Sequence, residues 1–342
     1  MRLPEKLWRM AGILAEYRLR RERLRSLPLR LWIETASCCN LRCIMCPNRD
    51  MPAARKGLME IGLFRKIIDE CAAFAGDVYL HHRGEPLLNP ALFDMIKYAR
   101  AADLKTRFHS NGTLLNAERI DKLLEAGPDL VSFSVDGFAK ESYEQIRQGA
   151  NFEQTVAGIA QLAEARRKRG LRRPYLVIEK IRFNNPALNA ETPETAATRA
   201  RFLAAGVDEI IEKQEYVWAE ESAPECAQPQ ALSACTFPWY AMVVCYDGTV
   251  TPCPQDFQAA LNMGNAREKS QREIWNDAPY RDLRRGFKTD IQSLSLCRKC
   301  DRLRRPTVAG VPLQYMVTFL TDQLVGYSRW RKQLGAHERN RE

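Results

Sequence analysis

Leu31-Trp32-Ile33-Glu34-Thr35-Ala36 passes directly into Ser37-Cys38-Cys39-Asn40-Leu41-Arg42-Cys43-Ile44-Met45-Cys46-Pro47. The first six residues read as a strand. The loop that follows spaces Cys39, Cys43 and Cys46 as C-x3-C-x2-C. Three thiolates on one short loop can converge on one face of a cubane. A four-iron cluster normally takes four thiolates, so three leave one metal open to a substrate or cofactor. A structural zinc ion needs a fourth nearby ligand, and the adjacent Cys38 would be strained in that role. The spacing therefore points to a metal or cluster site rather than to buried free thiols.

Outward from this loop, strands and helices alternate. Strands are predicted at Leu31–Ala36, Asp77–His82, Leu104–His109, Asp129–Val135, Tyr175–Phe183 and Val207–Tyr216. Helices are predicted near 60–75, 91–102, 116–126, 140–148, 151–170 and 191–205. Such alternation implies an α/β fold of parallel units with right-handed crossovers. It suits a β/α barrel or an open doubly wound sheet, and function then sits at the carboxyl ends of the strands. After about residue 217 the pattern stops. Residues 219–234 read as a linker or lid. The segment Ala241–Thr251 reads as a hairpin turning at Asp247-Gly248.

The chain has 342 residues, 11 cysteines and a net charge of +10. No run of about 18 apolar residues is present, as a spanning helix needs. The first residues lack a signal-peptide pattern. A cytoplasmic location with reduced thiols is expected. Residues 1–30 carry nine Lys/Arg and three Glu, and residues 301–342 carry eight basic and four acidic residues, so these ends hold the whole +10. The body is neutral, and a nucleic-acid groove across it is disfavoured. Leu7, Met10, Ala11, Leu14 and Tyr17 have amphipathic spacing, and Tyr315, Phe319, Leu324 and Tyr327 are similar. Such basic helices either pack on the body or lie on an anionic membrane surface. The expected organisation is a basic helix over 1–30, a core over 31–218, the linker over 219–234, a cluster-binding domain over 235–303 and a basic tail over 304–342.

The cysteine loop, its place after the first strand and the motifs that follow resemble the radical S-adenosylmethionine superfamily. Met45 stands where that family usually has an aromatic residue. Gly84-Glu85-Pro86 resembles the motif after the second strand that binds the methionine ammonium. Ser110-Asn111-Gly112 resembles the turn that contacts the ribose and carboxylate. Ser134 and Asp136 at the fourth strand, with Tyr143 and Arg147, resemble a pattern of the peptide- and sugar-modifying branches. Each motif alone reads as a turn or cap; together, each follows its own strand. The resemblance implies a partial (β/α)6 barrel. It implies that Cys39, Cys43 and Cys46 hold a 4Fe-4S cluster whose unique iron is chelated by S-adenosylmethionine.

Four later cysteines, Cys235, Cys253, Cys297 and Cys300, suit either zinc or a cluster by spacing. Their surroundings resemble the SPASM or twitch extension: Cys235 to Trp239, Asp247 to Cys253, Met263-Gly264-Asn265 and Ile274-Trp275. The chain has no cysteine after Cys300. One fully ligated auxiliary 4Fe-4S cluster is implied, with an electron-relay role. Cys71 reads as core, and Cys38 as a neighbour of the first cluster. Cys245 and Cys226 are candidate hydrogen-atom donors.

The expected function is cleavage of S-adenosylmethionine to a 5′-deoxyadenosyl radical that oxidises an alcohol of a polyol or sugar-type substrate. Glu179, Arg182, Gln214 and Glu215 are candidate bases or anchors at the fifth and sixth strand ends. A cysteine-dependent epimerase, a ribosomal-peptide maturase and a non-enzymatic zinc scaffold are the alternatives. Expected partners are flavodoxin or ferredoxin, a small-molecule or glycan substrate and, through the basic ends, a membrane surface.

Overall fold

A computed structural model describes residues 3–215, 218, 232–304, 307–308 and 311–312. The carboxyl-terminal stripe from Tyr315 to Tyr327, and Cys226, lie outside the described residues. The chain opens with α1 (Leu3–Arg18). The core strands are β1 (Arg30–Ile33), β2 (Asp77–Tyr79), β3 (Lys105–Ser110), β4 (Leu130–Ser134), β5 (Tyr175–Arg182) and β6 (Glu209–Gln214). They alternate with α2 (Ile61–Cys71), α3 (Leu92–Ala101), α4 (Ala117–Ala126), α5 (Lys140–Ile146), α6 (Phe152–Lys168) and α7 (Pro193–Ala205). The six strands pair in parallel in the order β6-β5-β4-β3-β2-β1. This is the expected six-unit β/α arrangement.

Local sequence sets the helix boundaries. Asn116 and Asn151 cap α4 and α6 by accepting from backbone N–H groups. Thr192 and Thr195 form a capping box on α7, with Pro193 at its first turn. Gly127 closes α4 at φ 57°, in the left-handed region. In α2, Leu63, Phe64, Ile67, Ile68 and Cys71 form one buried stripe. Cys71 is therefore core, as its spacing indicates.

The hairpin departs from the expected separation of core and carboxyl-terminal domain. Strand β7 (Ala241–Val244) pairs in parallel with β1, from Arg30↔Ala241 to Ile33↔Val244. Antiparallel β8 (Thr249–Thr251) and β9 (Gly264–Asn265) then extend the same sheet. All four residues of β7 are buried. The physical reason is that β1 would otherwise be an open apolar edge, and β7 covers it. The remaining helices are α8 (Phe237–Tyr240), α9 (Gln271–Trp275) and α10 (Ala278–Thr289). The amino-terminal segment is woven into them. The Tyr17 hydroxyl donates to the Ala234 carbonyl, Trp239 Nε1 to that of Arg21 and Trp275 Nε1 to that of Ser26. Arg284, fully buried, donates to the carbonyls of Glu22, Trp275 and Pro238.

Successive strand residues point to opposite faces. Leu31, Ile33, Val78, Leu80, Phe108, Val131, Phe133, Leu176 and Ile178 join the main core beneath the helices. The alternate positions carry Trp32, Glu34, Tyr79, His81, Arg107, His109, Ser132 and Glu179. One face of the sheet is oil and the other is largely polar, which is the face a polar substrate can use.

Helix α1 corrects the expected stripe. Met10 and Tyr17 are buried, joined by Ile13, while Leu7, Ala11 and Leu14 are exposed. No helix among the described residues is long and apolar enough to cross a membrane.

Candidate active site

The cysteine loop is pinned on two sides. Arg42 N donates to the carbonyl of Gln148, just past α5, and Ile44 N to that of Ile146, the last residue of α5. Asn48 Nδ2 donates to the carbonyls of Ser37 (2.7 Å) and Arg83 (2.8 Å). Glu85 N donates to the Cys38 carbonyl at 2.9 Å. A Cβ at Gly84 would lie 2.3 Å from that same oxygen and 2.5 Å from the Ala36 carbonyl. Glycine is required there because backbone packs directly on backbone.

The motifs expected to bind S-adenosylmethionine meet around this loop. The buried Glu85 carboxylate accepts from Ser110 Oγ (2.9 Å), Asn111 N (2.7 Å) and Leu87 N (2.9 Å). Burial raises its pKa, and these three donors oppose the rise. Pro86 begins the short 3-10 turn that follows. Asn111 Nδ2 lies 3.9 Å from Cys39 Sγ. On the other flank, Arg147 Nη2 donates to Asp136 Oδ2 at 2.5 Å, and Arg147 Nη1 approaches Cys43 Sγ at 3.8 Å. Asp136 Oδ1 accepts from Ile181 N, so it ties β5 to the loop instead of capping α5. Ser134 ends β4, in register with Glu179.

The donor set fits a cluster. Burial pushes the Cys39 thiol up to about 12 and that of Cys46 to about 11, and raises Cys43. Cys39 is raised further by Cys43 and Cys46, so the three thiols feel one another. Thiolates crowded in a buried site need positive charge, which iron supplies as it displaces the protons. Arg147 Nε is buried without a partner. Among the described residues, no three His, Cys, Asp or Glu side chains are set to hold a single metal ion.

The second set is also gathered. Cys235 precedes α8, Cys253 follows β8, and Cys297 and Cys300 flank one 3-10 turn. Cys253 is raised by burial first, then by Cys235, Cys297 and Cys300 together. Cys245 directly follows β7 with 1% exposure, and burial holds its thiol protonated. It neighbours the Glu34–Arg83 pair.

Two arrangements were not foreseen. Arg83 stands beside the Gly84 motif and is buried in a two-pronged ion pair with Glu34, Nε and Nη2 each at 2.6 Å. Glu34 also accepts from Tyr246 N at 3.1 Å, which couples the core to the hairpin. The second arrangement is a chain of four groups at the strand ends. His109 N donates to His81 Nδ1 at 3.2 Å, and the two rings stack 4.2 Å apart. His109 Nδ1 lies 3.6 Å from Glu179 Oε2, which accepts from Lys213 Nζ at 2.6 Å. Burial lowers both histidines, so they are neutral near pH 7. Burial opposes the Glu179 charge, yet His109 and Lys213 hold its pKa below the usual range. Period-two spacing in β3 and β5 was the signal for this chain. Of the other expected anchors, Arg182 faces Glu212 at 3.5 Å and Glu215 accepts from Asn184 N, both on the rim.

Residues 33–178 match the radical SAM superfamily, and residues 235–301 match SPASM, an iron-sulfur cluster-binding domain. The chain is 35% identical over 136 residues to an AdoMet-dependent heme synthase of Methanosarcina barkeri, across 39% of the chain and only 38% of that relative. It is 24% identical over 276 residues to the S-adenosyl-L-methionine-dependent 2-deoxy-scyllo-inosamine dehydrogenase of Niallia circulans, across 79% of the chain and 92% of the dehydrogenase. Its fold is similar to the crystal structure of BtrN in complex with AdoMet and 2-DOIA. The TM-score is 0.51 at 20% identity, over 81% of this chain and 94% of that one. These likenesses replace the zinc scaffold with an enzyme. The chain carries a radical SAM superfamily domain over residues 33–178 and a SPASM iron-sulfur cluster-binding domain over residues 235–301, and its cofactors are S-adenosylmethionine, a 4Fe-4S cluster and an auxiliary iron–sulfur cluster.

Proposed function

We propose that this enzyme oxidises an alcohol carbon of a polyol or sugar-type small molecule, with the auxiliary cluster as electron acceptor. The observation that carries the reading is the gathering of four thiols, Cys235, Cys253, Cys297 and Cys300, close enough that the other three raise Cys253. A four-iron cluster ligated at every corner has no open position for substrate, which leaves it electron transfer. Similarity to the inosamine dehydrogenase over 92% of its length supports the same chemistry. When bound, the first cluster and S-adenosylmethionine supply a 5′-deoxyadenosyl radical that removes a hydrogen atom from an unactivated carbon.

The residues divide the work as follows. Cys39, Cys43 and Cys46 hold the first cluster. Gly84, Glu85, Pro86, Ser110, Asn111, Ser134, Asp136 and Arg147 surround S-adenosylmethionine. Alcohol oxidation also releases the hydroxyl proton. His109, neutral and partly open on the polar face, takes it, and Glu179 positions the ring. Glu179 itself is a poor base because its pKa is held below the usual carboxylate range and it is paired with Lys213. Flavodoxin or ferredoxin supplies the first electron.

The test is turnover of a panel of aminocyclitols and sugars, including 2-deoxy-scyllo-inosamine, with S-adenosylmethionine and a reductant. A ketone formed with one 5′-deoxyadenosine per product is the expected result. Solvent deuterium gained at one carbon without oxidation would sink it. That outcome would favour epimerisation by Cys245, whose protonated thiol is a ready hydrogen-atom donor; Cys245→Ala would then abolish the exchange.

A further inference from the structure

Helix α1 carries apolar residues on two faces. Met10, Ile13 and Tyr17 are buried against the body, as in an ordinary surface helix. Two of its charged side chains are also tied to the protein. Arg9 donates to the carbonyls of Phe74 (2.9 Å) and Ala73 (3.1 Å). The buried Glu16 carboxylate accepts from Arg25 N (2.7 Å) and Ser26 N (3.2 Å). The opposite face exposes Leu7, Trp8, Ala11, Leu14 and Ala15, with Leu19 just beyond. Trp8 is 80% exposed. At 100° per residue these positions form one strip along the helix. A strip of large apolar groups on this scale marks an interaction site.

The charge at one end of the strip selects the partner. Arg18, Arg21, Arg23 and Arg25 are exposed in and after the last turn. Glu22, the acidic residue among them, is engaged by Arg285 and Lys288. An apolar strip carrying an exposed tryptophan beside a cluster of arginines matches the interface of an anionic bilayer, where indole sits at headgroup depth and guanidinium meets phosphate. A second copy of the chain fits poorly, since two such arginine clusters would enter one interface.

We propose that the outward face of α1 docks the enzyme on anionic phospholipid membranes, with Leu7, Trp8 and Leu14 in the interface and Arg18 to Arg25 on the headgroups. The proposal does not depend on the substrate.

The test uses the full chain, loaded anaerobically with its clusters. It is sedimented with phosphatidylcholine vesicles and with vesicles containing about one third phosphatidylglycerol. Binding to the anionic vesicles alone, weakened by salt, is expected. Trp8→Glu with Leu14→Glu should lower the partition coefficient at least about tenfold. Trp8→Phe should retain binding, and Arg21→Glu with Arg23→Glu should abolish the preference for anionic lipid. Unchanged iron content shows that each variant is folded. No sedimentation of the wild type, or equal binding by the Trp8/Leu14 variant, overturns the proposal. So does light scattering that shows a dimer which Trp8→Glu dissociates, because the face would then be a contact between copies.

Discussion

Glu34 and Arg83 form a buried ion pair, and each is nearly inaccessible to water. Replacing Arg83 by Met strands a carboxylate in the interior. The expected loss is about 3–5 kcal/mol in denaturant unfolding, and Glu34→Gln added to Arg83→Met should restore part of it. Gly84→Ala acts at another level. Its Cβ meets backbone, so the cysteine loop must move. Cluster iron should fall by about four per chain while the auxiliary iron stays. His82 supplies a pH effect. Burial lowers its pKa to about 4, and both ring nitrogens lack partners. The unfolded chain therefore binds this proton more readily, and the contribution is lost as pH falls from 6.5 toward 4. His82→Leu should flatten the acid side of the Tm profile over that window. At the reacting site, His109→Gln should slow product formation by about 100-fold. Its cleavage of S-adenosylmethionine without substrate should continue, since His109 lies outside the cluster loop.

Strand β1 is the element on which the two halves meet, paired to β2 on one side and β7 on the other. A chain ending at residue 218 would expose that edge, and it should be recovered aggregated, whereas the full chain should be soluble under the same expression conditions. The six core strands and their helices were legible because parallel β/α units repeat apolar runs at regular intervals. Observed strand ends differ by a few residues, because the final predicted residues belong to the turns of the candidate site: Thr35-Ala36 leads into the cysteine loop, and His81-His82 leads into the Gly84 motif. The β7–β1 pairing was not legible. It joins segments about 200 residues apart, and no local pattern names a strand's partner. The chain from His81 to Lys213 was missed for a related reason: its members come from four different strands or strand ends, and only the sheet assembles them. Cys39, Cys43 and Cys46 were readable because all three lie on one loop.

The molecule as a whole carries two thiol sets and one polar sheet face, coupled by Glu34, Arg83 and Tyr246. The central claim is that both sets hold iron–sulfur clusters and that the first supports radical chemistry. The most direct measurement is iron, sulfide and zinc content of anaerobically reconstituted protein, wild type beside the Cys39/Cys43/Cys46→Ala triple variant. It is read together with 5′-deoxyadenosine formed from S-adenosylmethionine under reduction. The account predicts about eight irons per chain in the wild type and about four in the variant, with 5′-deoxyadenosine lost. About four irons with zinc in the remaining thiols would contradict the electron-acceptor role. Zinc alone, with no 5′-deoxyadenosine from the wild type, would contradict the account altogether.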